Sequence, residues 1–449
     1  MDRQPPGLVV LFVTELWERF AYYGMRALLI LYLIDTSAGG LGWSREQASQ
    51  LYGWYNGLAY LTPLAGGWLA DRFFGTNRSL VLGGALISAG HLTLALPSHW
   101  TFYAGLGLII AGTGFFKPNV YTMVGQLYGE RDPRRDSGFT LYYMGINLGA
   151  LFGPLVCAWV AAHPRLGWPY GFGVAGVSML IGLSFYLWTR GDRLRGVGLP
   201  PAGRAAAAAR EGRGQRLSST ERRRVLALGI ITVFVVFFWL AFEQVGSSLN
   251  IFAAQRTERR VEGWLAVLVP QGEIPAAWFQ AINPMFVLVL APFMAGLWQS
   301  LGARAPSTQA KMALGLVLLG CAYVVMVLGA DASDQGARVS PWYLIGFYLI
   351  YSIGELCFLP AGFSFVGQAA PARLASLLMG LWFTANFIAN VIGGYLAGMA
   401  ERIERGELLQ VVGGQADFFL IFVVLCLCSG ALLFLLLPLI NRLMYSPAQ

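Results

Sequence analysis

Apolar runs recur along the whole chain, separated by short polar stretches. Each approaches the roughly 20 residues needed to cross a hydrocarbon core of about 30 Å as a helix. The pattern predicts twelve spans, over residues 8–34, 46–70, 79–97, 101–127, 138–162, 169–189, 225–250, 275–300, 310–329, 341–367, 374–400 and 416–440. One connection is long: residues 190–224, rich in Arg, Ala and Gly, divide the spans into two groups of six. The expected architecture is an all-α membrane protein, with a six-helix bundle at 1–189, a linker at 190–224 and a second six-helix bundle at 225–449. That is the layout of transporters built from two repeated halves. The first run, Leu8 to Ile34, is too long and too charged for a cleaved signal peptide and reads as a spanning helix.

Composition narrows the class. Of 449 residues, 56% are apolar and 12% charged, too little polar surface to clothe a water-soluble globule. If the N-terminus lies inside the cell, 20 Lys and Arg fall in inner segments and 8 in outer ones. This bias predicts a multi-pass inner-membrane protein with both termini cytoplasmic. It also accounts for the net charge of +8 without a nucleic-acid partner. The arginines of 190–224 read as part of that retention signal and as contacts for anionic membrane lipid. Cys157, Cys321, Cys357, Cys426 and Cys428 all lie in apolar runs, which excludes a disulfide framework; Cys426 and Cys428 lack further ligands, so no metal site is expected.

Seven ionisable residues fall deep within spans: Glu15, Glu18, Arg19, Arg26, Lys117, Glu243 and Glu355. Each costs at least ~2.5 kcal/mol at the centre of a lipid-exposed helix, so they are expected to face a polar interior and to pair. Static ion pairs between helices are the competing reading to a transport path. In the first span Glu15, Glu18, Arg19, Tyr22, Tyr23 and Arg26 share one face, an arc of about 140°. The opposite, apolar face is expected to meet lipid. Glu15 and Arg19 are spaced i, i+4 with the acid first, the favourable order. Arg26 has no acid within a turn and needs a partner from another helix. By depth, Arg26 is matched with Glu243 in the outer half and Lys117 with Glu355 further in. These residues lie in spans 1, 4, 7 and 10, equivalent positions of three-helix repeats, which points to one central cavity. Three cations face four carboxylates. A proton, or a cationic group on a substrate, would balance the set, because a carboxylate left in low dielectric once its cation departs picks up a proton.

The string Glu15-Leu16-Trp17-Glu18-Arg19-Phe20-Ala21-Tyr22-Tyr23-Gly24 resembles the E-x-x-E-R-F-x-Y-Y-G motif of proton-dependent oligopeptide transporters. The resemblance continues along the chain. Gly67 to Arg72, with Gly75, is similar to the loop 2–3 motif of the major facilitator superfamily. Phe116-Lys117-Pro118-Asn119 resembles the family's span 4 segment, and Tyr143 to Gly149 its span 5 signature, preceded by Tyr142 in place of the usual Phe. Phe242-Glu243-Gln244, Trp278 to Pro284 and Gly354-Glu355 fit spans 7, 8 and 10. One departure is expected: many prokaryotic members insert two helices between the bundles, whereas residues 190–224 contain no apolar run.

The resemblance implies a major facilitator fold and a set of roles. Arg26 and Lys117 would hold the peptide carboxylate; Glu355, aided by Asn147 and Asn283, would hold the amino terminus. Tyr22, Tyr23 and Tyr60 would line the pockets. Glu15, Glu18, Arg19, Lys117 and Glu243 would serve proton coupling, and Arg26–Glu243 and Lys117–Glu355 would be gate salt bridges. Asn147 and Asn283 also fit simple interhelical hydrogen bonding, Tyr60 plain packing, and Trp382 either a pocket wall or an ordinary packed aromatic. His91, His99 and His163 lie toward the outer ends of spans or in outer loops and are not expected to take part in coupling.

The implied activity is proton-coupled symport of di- and tripeptides by alternating access, by a monomer, with no cofactor beyond the coupling protons. Another small solute on the same scaffold (an amino acid, a nitrate-like anion or a drug) is the alternative; a simple anion would not need Glu355. An enzyme is disfavoured, since H-E-x-x-H, G-x-S-x-G and a Gly-rich P-loop are all missing from the sequence.

Overall fold

The computed structural model describes residues 4–37, 39–129, 132–199, 218–369 and 375–445. Twelve long helices dominate it. They are α1 Pro6–Ile34, α2 Arg45–Leu69, α3 Thr76–Leu94, α4 His99–Gln126, α5 Arg135–Ala162 and α6 Trp168–Arg193, then α7 Ser219–Phe242, α8 Ile282–Leu301, α9 Thr308–Asp334, α10 Trp342–Ala369, α11 Ala375–Gly398 and α12 Gly414–Tyr445. Each matches an expected span. Among the described residues no strand forms; there are only the isolated bridges Thr257–Val339 and Arg260–Glu273.

Local sequence sets several helix ends. Pro6 opens α1 at a position where its missing N–H is not needed. A capping box opens α7: Ser218 Oγ accepts from the Glu221 N–H at 3.2 Å, and Glu221 accepts from the Ser218 N–H at 2.8 Å. Of the expected linker, residues 200–217, and with them the expected lack of extra helices there, lie outside the described residues. The two ends of that stretch are helical, in α6 and α7.

The fold divides into two compact units. One comprises residues 1–44, 58–206 and 259–285; the other comprises 45–57, 207–258 and 286–449. In the first unit α1 packs on α5 and α6, and α3 on α4 and α6. In the second, α9 packs on α10 and α12, and α7 on α11 and α12.

Among the described residues, seven helices are long and apolar enough to cross a membrane by length and composition. Helix α1 misses that description because of its charges, yet most of its residues are buried. Its apolar side chains Leu11, Ala21, Met25, Leu28, Leu29 and Leu33 are buried. This corrects the expectation that one face of α1 meets lipid: α5 and α6 cover it. Small residues permit the fit. A Cβ on Gly149 of α5 would stand 2.7 Å from Arg19 Cβ, and one on Gly145 would stand 2.9 Å from the Phe12 ring. Only glycine lets the two main chains approach so closely.

Candidate functional site

In the first unit the polar face of α1 is buried as a set. Glu15, Glu18, Arg19, Tyr22 and Arg26 are buried, and Tyr23 is half-buried. Arg19 binds both neighbouring carboxylates. Its Nε lies 3.1 Å from Glu15 Oε1, and its Nη2 donates to Glu18 Oε1 at 2.7 Å, with a second, very short contact between Nε and Glu18 Oε2. The guanidinium also lies 5.0 Å from the centre of the Tyr22 ring, and Arg26 lies 5.9 Å from that of Tyr23. Tyr22 and Tyr23 meet edge to face at 5.2 Å.

Helices α2, α4 and α5 complete this region. Lys117 Nζ of α4 is 4.2 Å from the centre of the Tyr60 ring of α2. Thr62, half a turn beyond Tyr60, donates to the Ile110 carbonyl of α4 at 3.0 Å and so locks the two helices together. Lys117 and Glu18 both act electrostatically on Glu15. Tyr142 of α5 meets Tyr121 of α4 edge to face at 5.2 Å, and Glu15 acts electrostatically on both. Sequence reasoning noticed Tyr142 as an oddity without placing it and missed Tyr121. The signal available was Tyr121's position one helical turn beyond Lys117. Asn147 is buried, and its amide donates to the Tyr143 carbonyl of its own helix at 3.0 Å. Asn283 opens α8 within the same unit, just beyond Trp278, whose indole donates to the Leu155 carbonyl of α5 at 2.8 Å.

The second unit holds Glu243, Glu355 and Trp382. Glu243 ends α7 in a 3-10 turn, Glu243–Gly246. It lines a small cavity with Tyr52, Gln244, Ser247 and Asn390, which has room for about one water molecule. Gln244 spans the gap to α11: its amide donates to the Leu240 carbonyl at 3.2 Å and the Gly393 carbonyl at 3.3 Å, while Ser248 donates to its oxygen at 2.8 Å. Gln244 and Asn390 were not singled out as site residues. The pair Asn386 and Asn390, i and i+4 in an apolar run, was the readable signal. Glu355 is buried on α10, one turn beyond Tyr351. Trp382 is buried against Gly362 and meets Phe363 at 5.4 Å.

Other candidates fall elsewhere. His91 is fully buried within α3, and neither ring nitrogen has a hydrogen-bond partner. Among the described residues no group of acidic, His and Cys side chains could hold a metal ion. Several arginines counted toward the outer segments carry acidic partners: Arg45 with Glu404 at 3.1 Å, Arg259 with Glu273 at 3.0 Å and Arg402 with Glu407 at 3.3 Å.

Long apolar helices that bury paired carboxylates and cations define a polytopic membrane transporter. The sequence profile of the POT family matches residues 77–192 and 205–411, and the chain belongs to that family. It is 34% identical to the peptide transporter YePEPT of Yersinia enterocolitica, over 98% of this chain and 95% of that one. It is 30% identical to a di-/tripeptide transporter of Lactococcus lactis, over 91% of this chain and 92% of that one. Among solved structures it resembles a peptide transporter POT in complex with sulfate, with a TM-score of 0.85 at 35% identity, covering 98% of this chain and 96% of that one. The fold is the major facilitator fold.

Proposed function

We propose that the protein is a proton-coupled symporter that imports di- and tripeptides across the inner cell membrane by alternating access. The observation that carries this reading is the buried cluster on α1, where one guanidinium serves two carboxylates, Glu15 and Glu18, the first of which Lys117 also influences. Intramembrane charges are costly and mark pathways. Two carboxylates sharing a cation form a store that exchanges protons when the cation is drawn away. The naming of relatives as peptide transporters supports peptide as the cargo.

In this reading residues 1–189 and 225–449 are the rocking halves and 190–224 joins them on the cytoplasmic side, where both termini lie. Arg26 and Lys117 hold the peptide carboxylate. Glu355, with Asn147 and Asn283, holds its ammonium group. Tyr22, Tyr23, Tyr60 and Trp382 line the pockets. Glu15, Glu18, Arg19, Lys117 and Glu243 carry proton coupling, and Arg26–Glu243 and Lys117–Glu355 form and break as the gates exchange. Protons are the coupling ion, lipid surrounds a functional monomer, and no other cofactor is needed. The test is uptake of labelled di- and tripeptide into proteoliposomes, with and without an inward proton gradient. Uptake that ignores the gradient, or that free amino acids or drugs suppress as well as peptides do, defeats the reading.

A further inference from the structure

Helix α7 does not run smoothly past Glu243. Its α-helical pairing stops at Phe242, the 3-10 turn follows, and Ser247 takes φ −118° and ψ −92° before a separate helix, Ser248–Gln255. Gly246 and the serine pair Ser247-Ser248 favour such a break. A switch from i→i+4 to i→i+3 pairing deprives a junction carbonyl of its helical partner. Two buried tyrosines bond to carbonyls at this junction. Tyr323 of α9 donates to the Ala241 carbonyl at 2.6 Å, and Tyr351 of α10 donates to the Phe242 carbonyl at 3.0 Å.

The same tyrosine belongs to an aromatic zipper between α7 and α10. Phe242 stacks on Tyr351 with ring centres 4.4 Å apart and planes 14° apart. Phe238 stacks on Phe358 at 3.8 Å and 2°. On α10, Tyr351, Glu355 and Phe358 follow one another on a single face, so Glu355 lies between the two stacks. On α7, Glu243 directly follows Phe242. Glu355 and Glu243 both act electrostatically on Tyr351.

We propose that this zipper transmits the state of Glu355 to Glu243, with Tyr351 as a positioning residue for the Glu243 carboxylate. The inference rests on the site reading above, in which Glu355 meets the peptide ammonium and Glu243 belongs to the outer gate. Stacked rings in a close-packed interior resist sliding and separation, so a shift of α10 at Glu355 is passed to Phe242. The break at Ser247 gives that shift somewhere to go: the segment beyond it turns as a separate piece, and Glu243 is re-aimed.

The experiment uses the full chain with its five native cysteines replaced and a single cysteine introduced as Val245→Cys, in the turn beside Glu243. Alkylation by a membrane-impermeant maleimide is timed with and without saturating dipeptide, and dipeptide affinity is measured in parallel. Dipeptide is expected to change the rate about fivefold or more in the parent. Tyr351→Leu and Phe358→Leu should reduce that response below about twofold while affinity stays within about twofold. Tyr351→Phe keeps the stack and loses only the hydroxyl, so its response should be intermediate; it carries the test if the leucine variants do not fold. No response in the parent, or a full response in the leucine variants, overturns the proposal. Glu355→Gln separates the two layers: unchanged dipeptide affinity in that variant sinks the site reading itself, whatever the zipper variants do.

Discussion

Gly53 and Gly394 bring the main chains of α2 and α11 into direct contact. A Cβ on Gly53 would lie 2.6 Å from the Asn390 carbonyl oxygen and 2.8 Å from Gly394 Cα; one on Gly394 would lie 2.7 Å from the Ser49 carbonyl oxygen. Each belongs to a G-x-x-x-G string, Gly53 with Gly57 and Gly394 with Gly398, a spacing that lets membrane helices cross at short range. Both residues also line the small cavity at Glu243. Gly394→Val should therefore cost about 1–3 kcal/mol through overpacking and depress uptake, because the helices must part where the cavity closes. Thermal unfolding in detergent, with uptake measured alongside, checks this. A stable, fully active valine variant would mean that the close approach is dispensable.

Lys117 and Tyr60 test whether an aromatic face, rather than a hydroxyl, holds the Lys117 ammonium group. With Nζ 4.2 Å from the ring centre, the contact is worth roughly 0.5–2 kcal/mol. Tyr60→Leu should raise KM for dipeptides by about two- to thirtyfold, the same energy expressed as affinity. Tyr60→Phe should remain close to the parent. If the Phe variant is as impaired as the Leu variant, the hydroxyl is the working group and the cation–π contact is incidental.

The elements and the deep charges were legible because a membrane leaves so few options. A run of the right length without charge has to span, and a charge within it has to find a polar surrounding. That reasoning located all twelve helices and put Glu15, Glu18 and Arg19 on one face. It misjudged the back of α1, because periodicity cannot tell a lipid-facing apolar face from one covered by α5. The glycines that permit that cover, Gly145 and Gly149, are spaced i, i+4, but their partners are remote in sequence. The break after Glu243 was equally hidden: Gly246-Ser247-Ser248 is compatible with a continuous membrane helix, and the carbonyl partners that settle the matter come from Tyr323 and Tyr351 on other helices.

Asp35, just past the end of α1, offers a pH prediction separate from transport. Burial opposes its ionisation, but the Ser37 N–H at 2.9 Å, the Trp168 indole N–H at 2.7 Å and the Ser37 hydroxyl at 2.8 Å outweigh it and hold the carboxyl below the usual carboxylate range. A folded-state pKa below the unfolded value means stability that is present above the unfolded pKa, about 3.9. It is lost as pH falls through the folded value. Asp35→Asn should therefore lower the unfolding temperature by the same amount at pH 7 and pH 5, with the deficit fading only under stronger acid. A deficit that shrinks between pH 7 and pH 5 would contradict the assignment.

The shared guanidinium of Arg19 separates coupling from simple architecture. If the Glu15–Arg19–Glu18 cluster were only structural, neutralising any member would damage folding and every mode of transport together. In the coupling reading the members differ. Arg19→Met strands two buried carboxylates and should cost about 3–5 kcal/mol, the usual penalty for breaking a buried pair from one side. Glu18→Gln keeps the size and one of the two hydrogen bonds that Glu18 accepts from Arg19, and leaves Arg19 its partner Glu15 at 3.1 Å, so the protein should fold. It removes a carboxylate that takes up the driving proton, so gradient-driven uptake should fall at least tenfold, while peptide counterflow, which needs no net proton movement, persists. Lys117→Gln should behave in the same way, because Lys117 acts on Glu15 from α4. The measurement is both modes of flux in the same proteoliposomes. Undiminished driven uptake in either glutamine variant would remove that residue from the coupling machinery, and equal loss of both modes would return the cluster to a structural role.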